Sequence, residues 1–415
     1  MTGGRVGITC GVDWAEDHHD VVVMDDLGRV LEGRRIEAGV DGYADLLALI
    51  ADHDGSAADT PVALETDKNL LVLALRAAGF TVYPINPRAV ARYRERHYQA
   101  GKKSDHGDAS VLADILRTDR HQHRPLPATS DHALTIKALA RQHQEAIWAL
   151  HQTTSRLRSM LLEFYPQALK ALPKLNHKAA LTILAAAPTP TAAQRLTGRR
   201  VVALLHRCGR RNDPDLVALI LTELKAPALR QPPSVEEAMG LAAKTLIDVL
   251  TQMHAAVASL NDALAEQFSQ HALAPVLTSA PGLGTVLAAR ILAEVGDDPR
   301  RFQTPASLRA FAGTAPVTRA SGRSSYVKAR KVRNKRLGDA CHWWAFSTLT
   351  KSPGARAHYD HRRTIGDTHN AALRNLANKL LGRLWWCIQN QLPWDESAAW
   401  PMASSSSQTT AAWPW

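Results

Sequence analysis

Long apolar runs are missing from this chain: none reaches the roughly 20 residues that a membrane-spanning helix requires, and no signal peptide opens it. The expectation is a chain without a membrane partner. Cysteine is scarce as well. Cys10, Cys208, Cys341 and Cys387 lie far apart and form no C-x-x-C pair, which excludes a zinc ribbon and a disulfide framework and points to a reducing cytoplasm. The eighteen histidines include no H-E-x-x-H and no finger spacing, and "EDHHD" (Glu16 to Asp20) reads as a turn-like acidic patch rather than a metal-binding helix. Acid is in deficit: 39 Asp and Glu face 50 Lys and Arg, giving a formal net charge of +11. Such a chain attracts polyanions, and with a membrane set aside nucleic acid is the better partner.

What is present suits a folded globular protein. At 415 residues and 45% hydrophobic content, the chain can build two or three domains, each with its own core. β-Branched runs punctuated by Gly and Asp predict strands at Val6 to Val12, Asp20 to Asp26 and "RVLEGRRI". A helix at "GYADLLALIADH", a strand at "PVALET", a helix at "NLLVLALRAAG", a strand at "FTVYPIN" and helices across Pro87 to Arg117 follow. Three strands and then α-β-α-β-α is the element order of the ribonuclease H-like fold.

The period then changes. Ile136, Leu139, His143, Ala146, Leu150, Thr153, Leu157, Met160 and Phe164 follow spacings of 3 and 4 up to Pro166, which predicts one long helix. Met239, Leu246, Val249, Met253, Val257, Leu260, Leu264 and Phe268 predict a second, able to pair with the first within the chain or between chains. A basic, Pro-containing helical insert separates them. The expected organisation is an α/β domain over 1–125, long coiled-coil helices with the insert over 126–272, a mainly helical domain over 273–400 and a disordered low-complexity tail over 401–415.

Chemistry-bearing residues fall in two distant places. Asp13 closes the first strand, Glu65 closes the fourth, and "KSDHGDAS" sets Asp105 and Asp108 on one helix face. In a ribonuclease H-like sheet the first and fourth strands are neighbours and the last helix packs across them. Four converging carboxylates repel, and a hard divalent cation, Mg²⁺ or Mn²⁺, relieves them. Taken singly, each acid also fits a bland role, as a helix cap, a solvated strand end or a turn residue. Farther on, "APGLGTVLAARIL" fits either a helix-hairpin-helix turn, with Gly282 and Gly284 approaching a phosphate, or a plain helical corner. Thr318 to Arg336 holds eight Lys or Arg, four small hydroxyl residues and no acid.

Together these blocks resemble the insertion-sequence transposases that join an N-terminal RuvC-like DEDD domain to a C-terminal serine transposase domain. The resemblance runs from "GVDWAEDHHDVVVMD" through "ALET", "KSDHGDASVLADILRTD" and "APGLGTVLAARILAEVGD" to "RASGRSSYVKARKVRNKRL". It implies metal binding by Asp13, Glu65, Asp105 and Asp108. It also implies a serine nucleophile, and a bridge RNA that pairs with donor and target DNA. The family's serine precedes glycine, which selects Ser321 over Ser324 and Ser325. Two departures stand: Asp67 where the family often has glycine, and Ala320 and Arg323 where it often has a longer Ser-Ser-Gly-Gly run.

On this reading Arg319, Arg323, Lys328, Arg330, Lys331, Arg333, Lys335 and Arg336 hold phosphates, and Tyr326 stacks on a base or packs. A homo-oligomer, dimer or tetramer, is expected, and a tetramer could hold two DNA duplexes. Two other readings remain: a metal-dependent junction nuclease that uses water, and a nucleic-acid-binding protein without catalysis. "HYDHRR" (His358 to Arg363) and "LRNLANKLLGRLWW" (Leu373 to Trp386) are assigned to packing and nonspecific contact.

Overall fold

The computed structural model describes residues 7–97, 105–211, 213–322 and 324–401, without the side chains of His97, Asp105 and His106. The tail expected to be disordered from Met402 lies outside the described residues, as does Arg323. Two compact units divide the chain, residues 1–128 and 129–415. Among the described residues no helix is long and apolar enough to cross a membrane.

The first unit is mixed α/β. Its elements run β1 (Ile8–Trp14), β2 (His18–Asp25), β3 (Val30–Glu37), α1 (Val40–Asp52), β4 (Val62–Leu64), α2 (Leu70–Ala77), β5 (Val82–Pro84), α3 (Pro87–His97) and α4 (Asp105–Asp119). The sheet order is β3-β2-β1-β4-β5, with β1–β2 and β2–β3 antiparallel and β1–β4 and β4–β5 parallel. This arrangement is consistent with the ribonuclease H-like expectation. β2 begins at His18, so His18 to Asp20 belong to a strand rather than to the turn that the sequence suggested.

Strand alternation sorts side chains to two covered faces. Cys10, Val12, Val21, Val23, Val62 and Leu64 join α1 and α2 in one core. Val22 and Met24 meet Ala109 and Ala113 of α4 on the other face, where Ala63 packs with α3 and α4. Both faces are buried, which explains why β1 and β2 read as nearly continuous apolar runs.

The second unit is mainly helical. α5 (Asp131–Phe164) leads into α6 (Pro166–Ala171), α7 (Lys178–Ala186), α8 (Pro190–Gln194), α9 (Gly198–Arg207) and α10 (Pro214–Leu224) before α11 (Pro233–Ser269) returns. Next come α12 (Ala274–Thr278), α13 (Thr285–Val295), α14 (Pro305–Ala312), β6 (Val317–Ser321) and β7 (Ser324–Lys328). α15 (Lys335–Thr348), α16 (Pro353–Thr364), α17 (His369–Asn390) and α18 (Glu396–Ala399) complete it.

α5 and α11 pair within the chain, running antiparallel. The start of α5 (Ile136, Ala140) shares a core with the end of α11 (Leu264, Phe268) and with α13, α15 and α17. The end of α5 (Leu157, Leu161) shares another with the start of α11 (Ala243, Ile247) and α6 to α10. The buried stripe of α11 differs from the periodicity in its first half: Gly240, Ala243, Ile247 and Leu250 face inward, while Val249 is 43% exposed.

Candidate functional site

Alternation places three acids on the α4 face of the sheet. Asp13 lies on the strand face opposite Val12, and Glu65 continues the Ala63 side just past β4. Antiparallel register then sets Asp20 directly across from Asp13. α4 reaches this face because β1 offers no side chain at Gly11, where an added Cβ would lie 2.1 Å from the Ala109 carbonyl oxygen. Thr9 Oγ1 donates to the Ala113 carbonyl at 3.1 Å and ties strand to helix. α3 is held to α4 by the Tyr93 hydroxyl, which donates to Asp114 Oδ2 at 2.9 Å; burial pushes that phenol up to about 12.

Asp13, Asp20, Glu65 and Asp108 line one open cleft of about 470 Å³, with His18 and Arg94 beside them. The structure thus brings together three of the four acids read from sequence. Asp105 stands one turn before Asp108 on α4, but its side chain lies outside the described residues. Asp67 is exposed and does not line the cleft. Buried Asp108 is ion-paired with Arg94. Asp20, also buried, accepts from Arg35 Nη2 at 2.9 Å.

Sequence reading missed Asp20, His18 and Arg94. The short link between β1 and β2 was the available signal for Asp20, since a tight hairpin there must pair it with Asp13. Arg94 gave no local signal. An all-oxygen donor set suits a hard divalent cation. Among the described residues, however, no three His, Cys, Asp or Glu side chains stand close enough to hold a metal as they lie. The positive charge beside Asp108 is Arg94.

In the second unit, Ser321 ends β6 of a two-stranded antiparallel hairpin, a local departure from the mainly helical expectation. Gly322 begins the turn with φ of 57°, and Ser324 Oγ donates to the Ser321 carbonyl at 3.2 Å. Direct pairing of Ser321 with Ser324, Arg319 with Tyr326 and Val317 with Lys328 puts all six on one face. Lys328 Nζ lies 4.8 Å from the centre of the Tyr326 ring. Arg319, Lys328, Lys331, Arg333 and Lys335 are exposed and Arg330 is half-buried. Arg336 departs from the expected phosphate grip. Its guanidinium is paired with Glu145 of α5 and lies 5.2 Å over the Trp148 ring.

The second unit also holds a buried polar network. Glu294 of α13 receives Arg141 Nε and Nη2 at 2.8 and 2.9 Å and Asn334 Nδ2 at 2.7 Å. Asn334 also caps α15 by accepting from the Leu337 amide. The Pro281 carbonyl accepts from Trp344 Nε1 and Thr348 Oγ1, each at 3.0 Å, which pins the glycine turn to α15. Gly282 has φ of 73°, and a Cβ there would lie 2.7 Å from the Thr348 amide nitrogen, so its bareness serves packing on α15. Gly284, by contrast, borders open space ahead of α13. Burial pushes the Cys10 and Cys341 thiols up to about 12 and Cys387 to about 11, which removes them as nucleophiles.

Known proteins carry the same two blocks. Residues 10–166 match the DEDD transposase family of IS110, and residues 274–360 match the family described as transposase IS116/IS110/IS902. The chain is 47% identical over 401 residues to a Streptomyces coelicolor protein that carries the name of mini-circle transposase for IS117, covering 94% of this chain and 96% of that one. It is 31% identical over 399 residues to an uncharacterised 42 kDa protein of insertion element IS900 from Mycobacterium paratuberculosis, covering 92% and 96%. A third relative, an uncharacterised 43.6 kDa protein of insertion element IS110 from Streptomyces coelicolor, is 31% identical over 317 residues, 76% of this chain and 77% of that one. With both blocks matched in order and nearly the whole length aligned, the chain belongs to the IS116/IS110/IS902 family of insertion-element transposases.

Proposed function

We propose that this transposase cuts and rejoins DNA through a covalent link to Ser321, with Asp13, Glu65, Asp105 and Asp108 holding Mg²⁺ or Mn²⁺. The observation that carries the reading is the convergence of Asp13, Glu65 and Asp108 on one cleft although they are remote in sequence. A divalent ion bound there would offset phosphodiester charge and favour the ionised serine. Ser321 Oγ attacks phosphorus, its bond to phosphorus forms as the bond to the leaving sugar oxygen breaks, and that oxygen takes up a proton. One ester replaces another, so rejoining to a new strand needs no ATP. Arg319 and Lys328 share the face of Ser321 and hold phosphates, and Tyr326 on that face offers a ring to a base. Arg323, Arg330, Lys331, Arg333 and Lys335 extend the basic surface.

Sequence choice is assigned to a bridge RNA that pairs with donor and target DNA, a role resting on the family resemblance. The Gly284 end of the α12–α13 turn serves as a helix-hairpin-helix phosphate contact, and the long helices assemble a dimer or tetramer. The test is to incubate the protein with the element's noncoding RNA, labelled donor and target DNA and Mg²⁺. DNA attached to Ser321 is the expected product, and Ser321→Ala should abolish both adduct and strand exchange. A nuclease that activates water is the second reading, favoured by the placement of all four acids in the first unit and Ser321 in the second. Under that reading Ser321→Ala keeps cutting.

A further inference from the structure

Neither the cleft nor the hairpin uses the charge pattern of the insert between α5 and α11. From Phe164 to Asn212 the chain has no Asp or Glu, yet nine Lys or Arg. α9 organises part of this charge. Val201, Leu204 and Leu205 are buried in the core that α7 and α10 share, while Arg199, Arg200, Ala203, His206 and Arg207 form the opposite, exposed arc. Arg210 and Arg211 continue it beyond the helix end and are exposed too. Among the described residues none of these arginines has an ion-pair partner. Asp213, the acid nearest in sequence, is engaged in capping α10.

We propose that the exposed arc of α9, with Arg199, Arg200 and Arg207 at its centre, is a second DNA-binding surface that grips the backbone of duplex DNA without reading its sequence. An unpaired cationic arc on a 10-residue helix has a large electrostatic attraction for a rod carrying one negative charge per ~1.7 Å. Guanidinium groups suit phosphate, which they bind bidentately. Ala203 between them keeps the arc low enough for close approach. Asn and Gln, which pair with base edges, are absent from the arc, so direct base readout has no donors of that kind there. Phe, Trp and Tyr are absent from Pro166 to Arg211, which removes the stacking platform that single strands require. DNA rather than RNA is the duplex assigned, because the family's reaction is on DNA and the segments flanking a cut remain paired.

The test is equilibrium binding of the full chain to a random-sequence DNA duplex over a range of salt, without divalent ions, beside an RNA duplex of equal length. Each phosphate contact contributes about 0.9 to the salt slope, so Arg199→Ala/Arg200→Ala/Arg207→Ala should flatten it by roughly 2.7 and weaken binding about 10²-fold at ~0.1 M salt. Replacement of the same three by Lys should retain most of the slope, which loss of folding would not allow. If the triple alanine variant fails to fold, Arg207→Glu alone should flatten the slope by about 1. Unchanged DNA affinity and slope would make α9 a solvated face and overturn the proposal, as would a loss confined to RNA. Because binding is read without cutting, the outcome is independent of whether Ser321 is the nucleophile.

Discussion

Gly11 and Ala109 are in direct contact, with room between strand and helix for hydrogen alone: a Cβ on Gly11 would meet the Ala109 carbonyl oxygen at 2.1 Å and the Ala113 nitrogen at 2.5 Å. Both obstacles are backbone and cannot swing aside. Gly11→Ala is expected to lift α4 from β1 and destabilise the first unit by about 1–3 kcal/mol. Calorimetric melting should show this as a lowered transition, and DNA cleavage should fall further than DNA affinity because Asp108 moves with α4. Unchanged melting and cleavage would show that the helix has slack.

Arg94 supplies the positive charge beside Asp108. Removing it as Arg94→Gln should leave Asp108 less neutralised and tighten Mn²⁺ binding several-fold, on the order of 1 kcal/mol for a partly exposed pair. Titration calorimetry with Mn²⁺ alone reads the effect. Weaker binding in the variant would instead make Arg94 a support for the carboxylate's position.

Glu294 gives the second unit a pH dependence. Burial by itself would raise its carboxyl, but hydrogen bonds from Arg141 and Asn334 and the charge of Arg141 outweigh burial and hold it below the ordinary 4.5. A depressed carboxyl stabilises fully above its unfolded value and loses that contribution as pH falls through the lower folded one. Urea unfolding should therefore show stability declining below about pH 4.5. Glu294→Gln should lose that part of the slope and cost about 3–5 kcal/mol near neutral pH, because the Arg141 guanidinium loses this buried carboxylate.

Thiol chemistry should be irrelevant to activity. Cys10 and Cys341 are fully enclosed, and their raised thiols stay protonated at pH 8. Alkylation of the native protein should spare both, as mass mapping would show, and leave DNA joining intact. Loss of joining on modification of half-buried Cys208 would point to a role for the insert in DNA handling.

The sheet was legible because its strands are β-branched and covered on both faces, and because Asp13 and Glu65 end neighbouring strands. Asp108 was legible from the spacing in "KSDHGDAS". The hairpin was not: from Thr318 to Val327 every described residue is exposed, so no apolar alternation marks β6 and β7. The inward stripe of α11 was misread for a related reason. Gly240 sits where a Cβ would lie 2.2 Å from Thr189 Cγ2, and a helix face that packs through glycine and alanine has little hydrophobic signal. Arg94 and Arg336 carry no trace of their partners in local sequence, since both ion pairs bridge separate helices. Charge alone could not separate Arg336, held internally by Glu145, from the exposed cations around it.

The pairing of β6 with β7 also behaves as a parity code. Ser321 shares a face with Arg319, Tyr326 and Lys328 only because Arg319 stands two positions before it on β6 and a two-residue turn pairs it with Ser324. Inserting or deleting one residue between Arg319 and Ser321 would turn the hydroxyl away from that basic and aromatic face, whereas inserting two would restore the facing and merely lengthen the arm. With no core residue at stake between Thr318 and Val327, frame within the hairpin, rather than bulk, is what its natural variation is expected to preserve.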